Sequence, residues 1–284
     1  MKTVLVTGAN GQLGQCIQKV QQQHPNITFH FKSSKELDIT DTIAIRAYFS
    51  ENTIDYCVNC AAYTNVELAE SEEDKAYLVN AKAAKNLAKT CAENNITLLH
   101  VSTDYVFDGT KTSPYVETDI TNPISVYGAS KLKGEKNIQA VAEKYFIIRT
   151  SWLYAEFGKN FYKTILQKAK EKANLTITTE QKGTPTNAND LAELILEIIN
   201  TKNTNYGIYH FSNEGEATWY DFTKEIIQNL NLPETDQPTL KSVDSYKTKA
   251  ARPKNSVLDK SKVRSIIKTK SWQESLRNLM QNPL

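Results

Sequence analysis

Short apolar runs alternate with amphipathic segments along the first half of the chain. Residues 3–6 predict a first strand, 12–23 a helix, 27–31 a second strand, 42–50 a helix and 54–60 a third strand. A long helical pattern over 74–94 precedes a fourth strand at 96–101. A helix over 125–144 then leads into a further strand at 145–149. Strands separated by crossover helices predict an α/β fold, a doubly wound parallel sheet covered on both faces.

Beyond residue 150 the rhythm loosens. Residues 160–172, 188–199 and 219–230 read as helices, and 175–179 and 207–211 as strands, while 232–253 is polar without a clear period. The pattern divides the chain into residues 1–150 and a smaller α/β region, 151–284, partly interleaved with the first. No repeat or low-complexity tract interrupts it.

Composition narrows the class. The chain has 284 residues, ordinary apolar and charged fractions and a net charge of +2, which gives no reason to expect nucleic acid as a partner. No apolar stretch approaches the ~20 residues of a membrane helix, and the first apolar run is too short for a signal peptide. A cytoplasmic protein without a membrane partner is expected. The cysteines stand at 16, 57, 60 and 91 and the histidines at 24, 30, 100 and 210. Cys57 and Cys60 form one C-x-x-C at a strand end with no second pair, so ordinary reduced thiols and no metal site are expected.

Local chemistry is more specific. Gly8, Gly11 and Gly14 lie between the first strand and the first helix. Glycines there allow a tight turn and close backbone approach, and the helix start with its dipole favours a pyrophosphate. The second strand ends in Lys32, Ser33 and Ser34 rather than in an acid, and a cation with hydroxyls suits the 2′-phosphate of NADP. Asp38 stands ready for the adenine side of either cofactor. Ala61 and Ala62, with Tyr63 and Thr64, end the third strand, where small side chains let a cofactor lie close.

The fourth strand ends in Ser102, Thr103, Asp104 and Tyr105, and Tyr127 and Lys131 follow four residues apart on one helix face. Free tyrosine has a pKa near ~10, and a neighbouring ammonium is expected to lower it, making Tyr127 a proton donor to a forming alkoxide. Thr103 is placed to hold the carbonyl oxygen, and Lys131 to bond a cofactor ribose. Together these residues predict a nicotinamide-dependent carbonyl or sugar reductase.

The runs that carry this chemistry resemble the extended short-chain dehydrogenase/reductase superfamily, and within it the dTDP-4-dehydrorhamnose reductase family. The resemblance rests on Gly8-Ala-Asn-Gly-Gln-Leu-Gly14, Leu37-Asp-Ile-Thr40, Val58-Asn-Cys-Ala-Ala-Tyr-Thr64, Ser102-Thr-Asp-Tyr-Val-Phe-Asp-Gly109, Tyr127-Gly-Ala-Ser-Lys131 with Gly134-Glu135, and Arg149-Thr-Ser-Trp152. It continues through Gln181-Lys-Gly-Thr-Pro-Thr186, Gly207-Ile-Tyr-His-Phe211 and Arg252-Pro.

The resemblance implies a Rossmann-like NAD(P)-binding domain over 1–150, a mainly substrate-binding remainder, and reduction of dTDP-4-dehydro-L-rhamnose by NADPH, with NADH as the other possible donor. It maps Thr103, Tyr127 and Lys131 to the catalytic trio. Asn10, Gln12, Leu13, Asp38, Ile39, Ala62, Tyr63 and Thr64 map to cofactor contacts, and Asp104, Tyr105 and Trp152 to nucleotide-sugar contacts, beside Ser102 and Thr103. Val66-Glu67 departs from the usual Val-Asp. Gln15 and Asp190 stand where glutamates of some members bind magnesium, so that metal does not carry over, and a homodimer is left open. The alternatives are a reductase or epimerase of another 4-keto nucleotide sugar, and a non-catalytic NADP-binding subunit like the regulatory subunit of methionine adenosyltransferase. Tyr105, where a dehydratase needs a further acid, disfavours dehydration.

Overall fold

The computed structural model describes residues 1–281; positions 282–284 of the expected C-terminal region lie outside the described residues. The chain runs β1 (Lys2–Thr7), α1 (Gln12–Val20), β2 (Ile27–Lys32), α2 (Thr42–Glu51), β3 (Tyr56–Asn59), α3 (Val66–Ala69), α4 (Glu73–Tyr77), a π-helical turn (Leu78–Ala83), α5 (Ala84–Glu93), β4 (Thr97–Thr103), α6 (Val126–Gln139) and β5 (Tyr145–Thr150). It continues through β6 (Leu153–Tyr154), α7 (Phe161–Lys170), β7 (Leu175–Thr178), β8 (Lys182–Gly183), β9 (Thr186–Asn187), α8 (Ala188–Asn200), β10 (Gly207–His210), β11 (Ala217–Thr218), α9 (Trp219–Asn229), β12 (Leu240–Val243) and α10 (Trp272–Gln281).

Side-chain alternation along the strands builds two cores. Val4, Val6, Phe146 and Ile148 point into a cluster closed by α1 and α8, while Leu5 and Ile147 point into one closed by α2, α5 and α6. Six strands pair in parallel in the order β2-β1-β3-β4-β5-β10. The order reverses at β1, whose neighbours β2 and β3 lead off on opposite sides. A ligand crevice is therefore expected outside the carboxyl ends of β1 and β3. The doubly wound parallel sheet expected of the sequence is present.

The second half of the chain supplies the edge strand β10 and the covering helix α8 to this sheet. It also builds a separate apolar cluster from α7, α9 and α10 around Phe222, Ile226, Trp272 and Leu276. β12 had no sequence signal because Lys241 and Ser242 are exposed and only its ends are half-buried. α10 did carry one: Trp272, Leu276 and Leu279 recur at helical spacing and are buried.

Two features aim α6 at the crevice. Glu135 on α6 accepts from Arg149 of β5 at 2.7 Å (Nη2) and 3.0 Å (Nε), and from the Ser102 hydroxyl at 2.5 Å. Both charged side chains are at most 3% exposed, so the pair is an interior one. Arg149 also lies over the Phe107 ring and 3.4 Å from His210 Nε2, which draws β10 into the same cluster. The second feature is the π-turn, which interrupts the expected helix over 74–94. It directs the buried Asn80 side chain to Tyr63 N at 2.8 Å, Tyr63 O at 3.0 Å and Ser130 Oγ at 3.0 Å. Asn80 thus joins the loop after β3 to α6. Gly134 makes the approach possible, since a Cβ there would sit 2.1 Å from the Asn80 carbonyl oxygen.

Removing one member of a buried ion pair strands the other charge. Glu135→Leu should lower unfolding free energy by ~3–5 kcal/mol, read from urea denaturation. An unchanged midpoint would show that the pair does not hold α6.

Candidate active site

The crevice is assembled from the ends of β1, β3 and β4 and the start of α6. Gly8, after β1, has φ +66, and a Cβ there would lie 2.6 Å from Ala61 N. The turn therefore admits no side chain and brings the β3 end against the β1 end at the switch point. Gly14 is equally tight, with a Cβ 2.6 Å from Ala9 O, which seats α1 on the turn. Gly11 caps α1 and, having no side chain, makes no side-chain cap bond to the helix start. A backbone cradle with free N–H groups fits a pyrophosphate.

The other expected cofactor residues divide by exposure. Asn10 is exposed, and its carbonyl accepts from Gln15 at 2.8 Å. Gln12 accepts from Asn160 at 2.8 Å, linking the glycine turn to the start of α7. Leu13 and Ile39 are buried in the two cores, so only their backbones are free to meet a ligand. Asp38 is exposed and accepts from the Thr40 hydroxyl at 2.8 Å. Lys32 ends β2 with its carbonyl bonded to Ala9 N and its ammonium 5.3 Å from the Tyr48 ring centre. Of the hydroxyls expected beside it, Ser33 is buried and donates to Glu36 at 2.6 Å, leaving exposed Ser34. Ala61, Ala62 and Tyr63 are half-buried along the loop that Asn80 holds, and Thr64 is exposed.

Thr103, Asp104, Tyr105 and Tyr127 meet at the β4 end. The Thr103 hydroxyl is 3.0 Å from Asp104 Oδ1 and accepts from Tyr105 N at 3.2 Å. Tyr105 and Tyr127 pack edge to face, with ring centres 5.6 Å apart. Burial raises the Tyr127 pKa, Asp104 and Tyr105 add to the rise, and Thr103 opposes it. This corrects the expected lowering by Lys131. The Lys131 ammonium instead donates to Val101 O at 2.7 Å, under the strand, and burial brings its own pKa down to about 8. Asp104 is pushed up to about 6 by burial, with the Ser256 and Thr103 hydroxyls opposing the rise.

Ser102 is a second correction. On β4 it shares the α6-facing side with His100, and its hydroxyl donates to Glu135 in the interior. It therefore helps place α6 and has no hydroxyl free to meet a substrate.

Trp152, expected as a nucleotide-sugar contact, lies just after β5. It holds a left-handed backbone at φ +47, stacks on Trp219 with ring centres 3.7 Å apart, and leaves room for only a glycine at 183. Trp219 is fixed by Gln181 at 3.0 Å. Sequence reasoning missed the stacking of Trp219 on Trp152, since nothing local joins the two. It also missed the pairing of Arg252 with Glu67 at 2.7 Å, which brings a guanidinium beside Tyr105. Neither charge shows its partner along the chain.

Asp190 is held by Asn213 at 2.6 Å, Lys270 at 2.9 Å and Ser275. Among the described residues no cluster of histidine, cysteine and carboxylate side chains is arranged to hold a metal, and no helix is long and apolar enough to cross a membrane.

Comparison with known proteins agrees with this geometry. The family described as RmlD substrate binding domain matches residues 1–283. A dTDP-4-dehydrorhamnose reductase of Aggregatibacter actinomycetemcomitans is 37% identical over 98% of each chain. Among solved structures, a Clostridium acetobutylicum dTDP-4-dehydrorhamnose reductase superposes with a TM-score of 0.91 at 38% identity, covering 98% of each chain. A Bacillus anthracis dTDP-4-dehydrorhamnose reductase in complex with NADP gives 0.93 at 36% identity, covering 99% of each. With its sheet, crevice and nearly full length matched, the chain belongs to the RmlD substrate binding domain family, that of the dTDP-4-dehydrorhamnose reductases.

Proposed function

We propose that this protein reduces dTDP-4-dehydro-L-rhamnose to dTDP-L-rhamnose with NADPH, NADH being the other possible donor. The observation that carries the reading is the meeting of Thr103 and Tyr127 at the end of β4, beside a glycine turn with no room for a side chain. The Gly8–Gly14 turn and the start of α1 would hold the pyrophosphate, and Lys32 would face the 2′-phosphate. Bound there, the dihydronicotinamide supplies the hydride that reaches C4 of the sugar.

The chain's own residues do the rest. Burial keeps the Tyr127 phenol protonated at neutral pH, so it enters the reaction as an acid. Its proton passes to the C4 oxygen as negative charge develops there. The Thr103 hydroxyl, beside that phenol, bonds the same oxygen. Lys131 lies one helical turn on and orients the cofactor ribose as a cation. Asp104 and Tyr105 line the sugar side, and the Trp152–Trp219 stack closes it against water.

Tyr127→Phe should cut turnover by ~10²–10⁴-fold and leave NADPH binding intact, followed by absorbance loss with the 4-keto sugar and by fluorescence titration. Normal turnover would remove Tyr127 from the proton-donor role. Because the charged form of Lys131 is lost as pH rises through about 8, the rate should fall on that limb. A profile flat to about 10, the range of an unperturbed lysine, would exclude Lys131 as the group responsible. Lys32→Ala should weaken NADPH by about tenfold with little effect on NADH, measured as paired dissociation constants. Equal losses would place Lys32 outside the phosphate site.

A further inference from the structure

Beneath the crevice runs a line of buried polar side chains to which the reaction above assigns no step. Thr7 Oγ1 donates to Asn59 Oδ1 at 2.7 Å, and Ala61 N donates to the same oxygen at 3.2 Å. Asn59 Nδ2 lies 3.0 Å from His100 Nδ1, and His100 Nε2 lies 3.4 Å from Lys131 Nζ. Thr7, Asn59, His100 and Lys131 are each at most 2% exposed.

The direction of every bond follows from one donor that cannot reverse. A backbone N–H only donates, so the Ala61 contact requires the amide oxygen of Asn59 on that side. The amide nitrogen then faces His100 and donates to Nδ1, which must carry a lone pair. Burial, with the Lys131 charge added, drives the His100 pKa well down, so the ring is neutral. Its single proton must sit on Nε2, pointing at the Lys131 amine.

Resting on the reductase reading, we propose that Asn59 and His100 are positioning residues for Lys131, presenting a fixed imidazole N–H that holds its amine against the Val101 carbonyl and loosens its hold on a proton. An N–H facing an ammonium is repulsive, whereas the same N–H facing a neutral amine is a hydrogen bond. The arrangement therefore favours the neutral amine and brings the loss of the ammonium closer to neutral pH. Two other titratable groups face that amine. Glu135, further along α6, favours the charged form but is shared with Arg149 and Ser102. Cys60, at the end of β3, has its thiol pushed up to about 12 by burial and stays neutral. Tyr127, a turn earlier on α6, meets Thr103, Asp104 and Tyr105 instead and stays protonated by burial.

The test has two arms. Long-range proton–nitrogen NMR on the ¹⁵N-labelled protein, with the His100 signal assigned by its loss in His100→Gln, should show a neutral ring protonated at Nε2. A proton on Nδ1, or a charged ring at neutral pH, would overturn the proposal. This arm needs no substrate, so it stands apart from the reductase assignment, which fails if the wild-type protein oxidises no NADPH with a 4-keto sugar nucleotide. In the second arm, Asn59→Leu frees the imidazole to turn its lone pair toward Lys131. The basic limb of the rate profile should then move up by about one pH unit. His100→Gln, whose amide is oriented by the same Asn59 donor and offers an N–H to Lys131, should leave the limb in place. An unmoved limb in a folded Asn59→Leu protein would overturn the proposal, and if that variant does not fold the NMR arm decides.

Discussion

A carboxylate and a guanidinium buried together decide where the chemistry can happen. Glu135 and Arg149 tie α6 to β5, Ser102 adds β4, and His210 adds the edge strand from the far half of the chain. A buried charge tolerates little displacement of its partner. The helix that bears Tyr127 and Lys131 is thereby set against the sheet, while the Asn80 side chain holds the β3 loop to the same helix. The site is rigid because its supports are desolvated and directional, with the crevice loops hung between them.

The parallel sheet and most of its helices were legible because each buried strand is a short apolar run and each covering helix repeats its apolar positions near every 3.6 residues. The glycine turn and the Tyr127–Lys131 spacing were legible for a related reason: they are local, and local geometry constrains residue type. What escaped was non-local or electrostatic. Trp152 and Trp219 meet only in the folded chain, as do Glu67 and Arg252. Ser102 read as a crevice residue because its neighbours are, yet strand alternation turns it inward. The Tyr127 pKa was anticipated in the wrong direction because one neighbouring ammonium was weighed without the burial that dominates both groups.

Electrostatically, the two sides of α6 are treated differently. Near Glu135 the interior satisfies full charges with full charges. Near Lys131 it surrounds a cation with neutral dipoles, the Val101 carbonyl and the His100–Asn59 line. The first arrangement locks a helix; the second leaves a group able to gain or lose a proton near physiological pH.

The paired indoles of Trp152 and Trp219 carry a consequence of a different kind. Rings stacked nearly parallel at 3.7 Å, tilted by 8°, couple their electronic transitions. Trp152 and Trp219 thus form a built-in chromophore whose ultraviolet dichroism depends on their separation and tilt. Any sugar that pries the rings apart or presses them together writes its arrival into that spectrum, with no label attached.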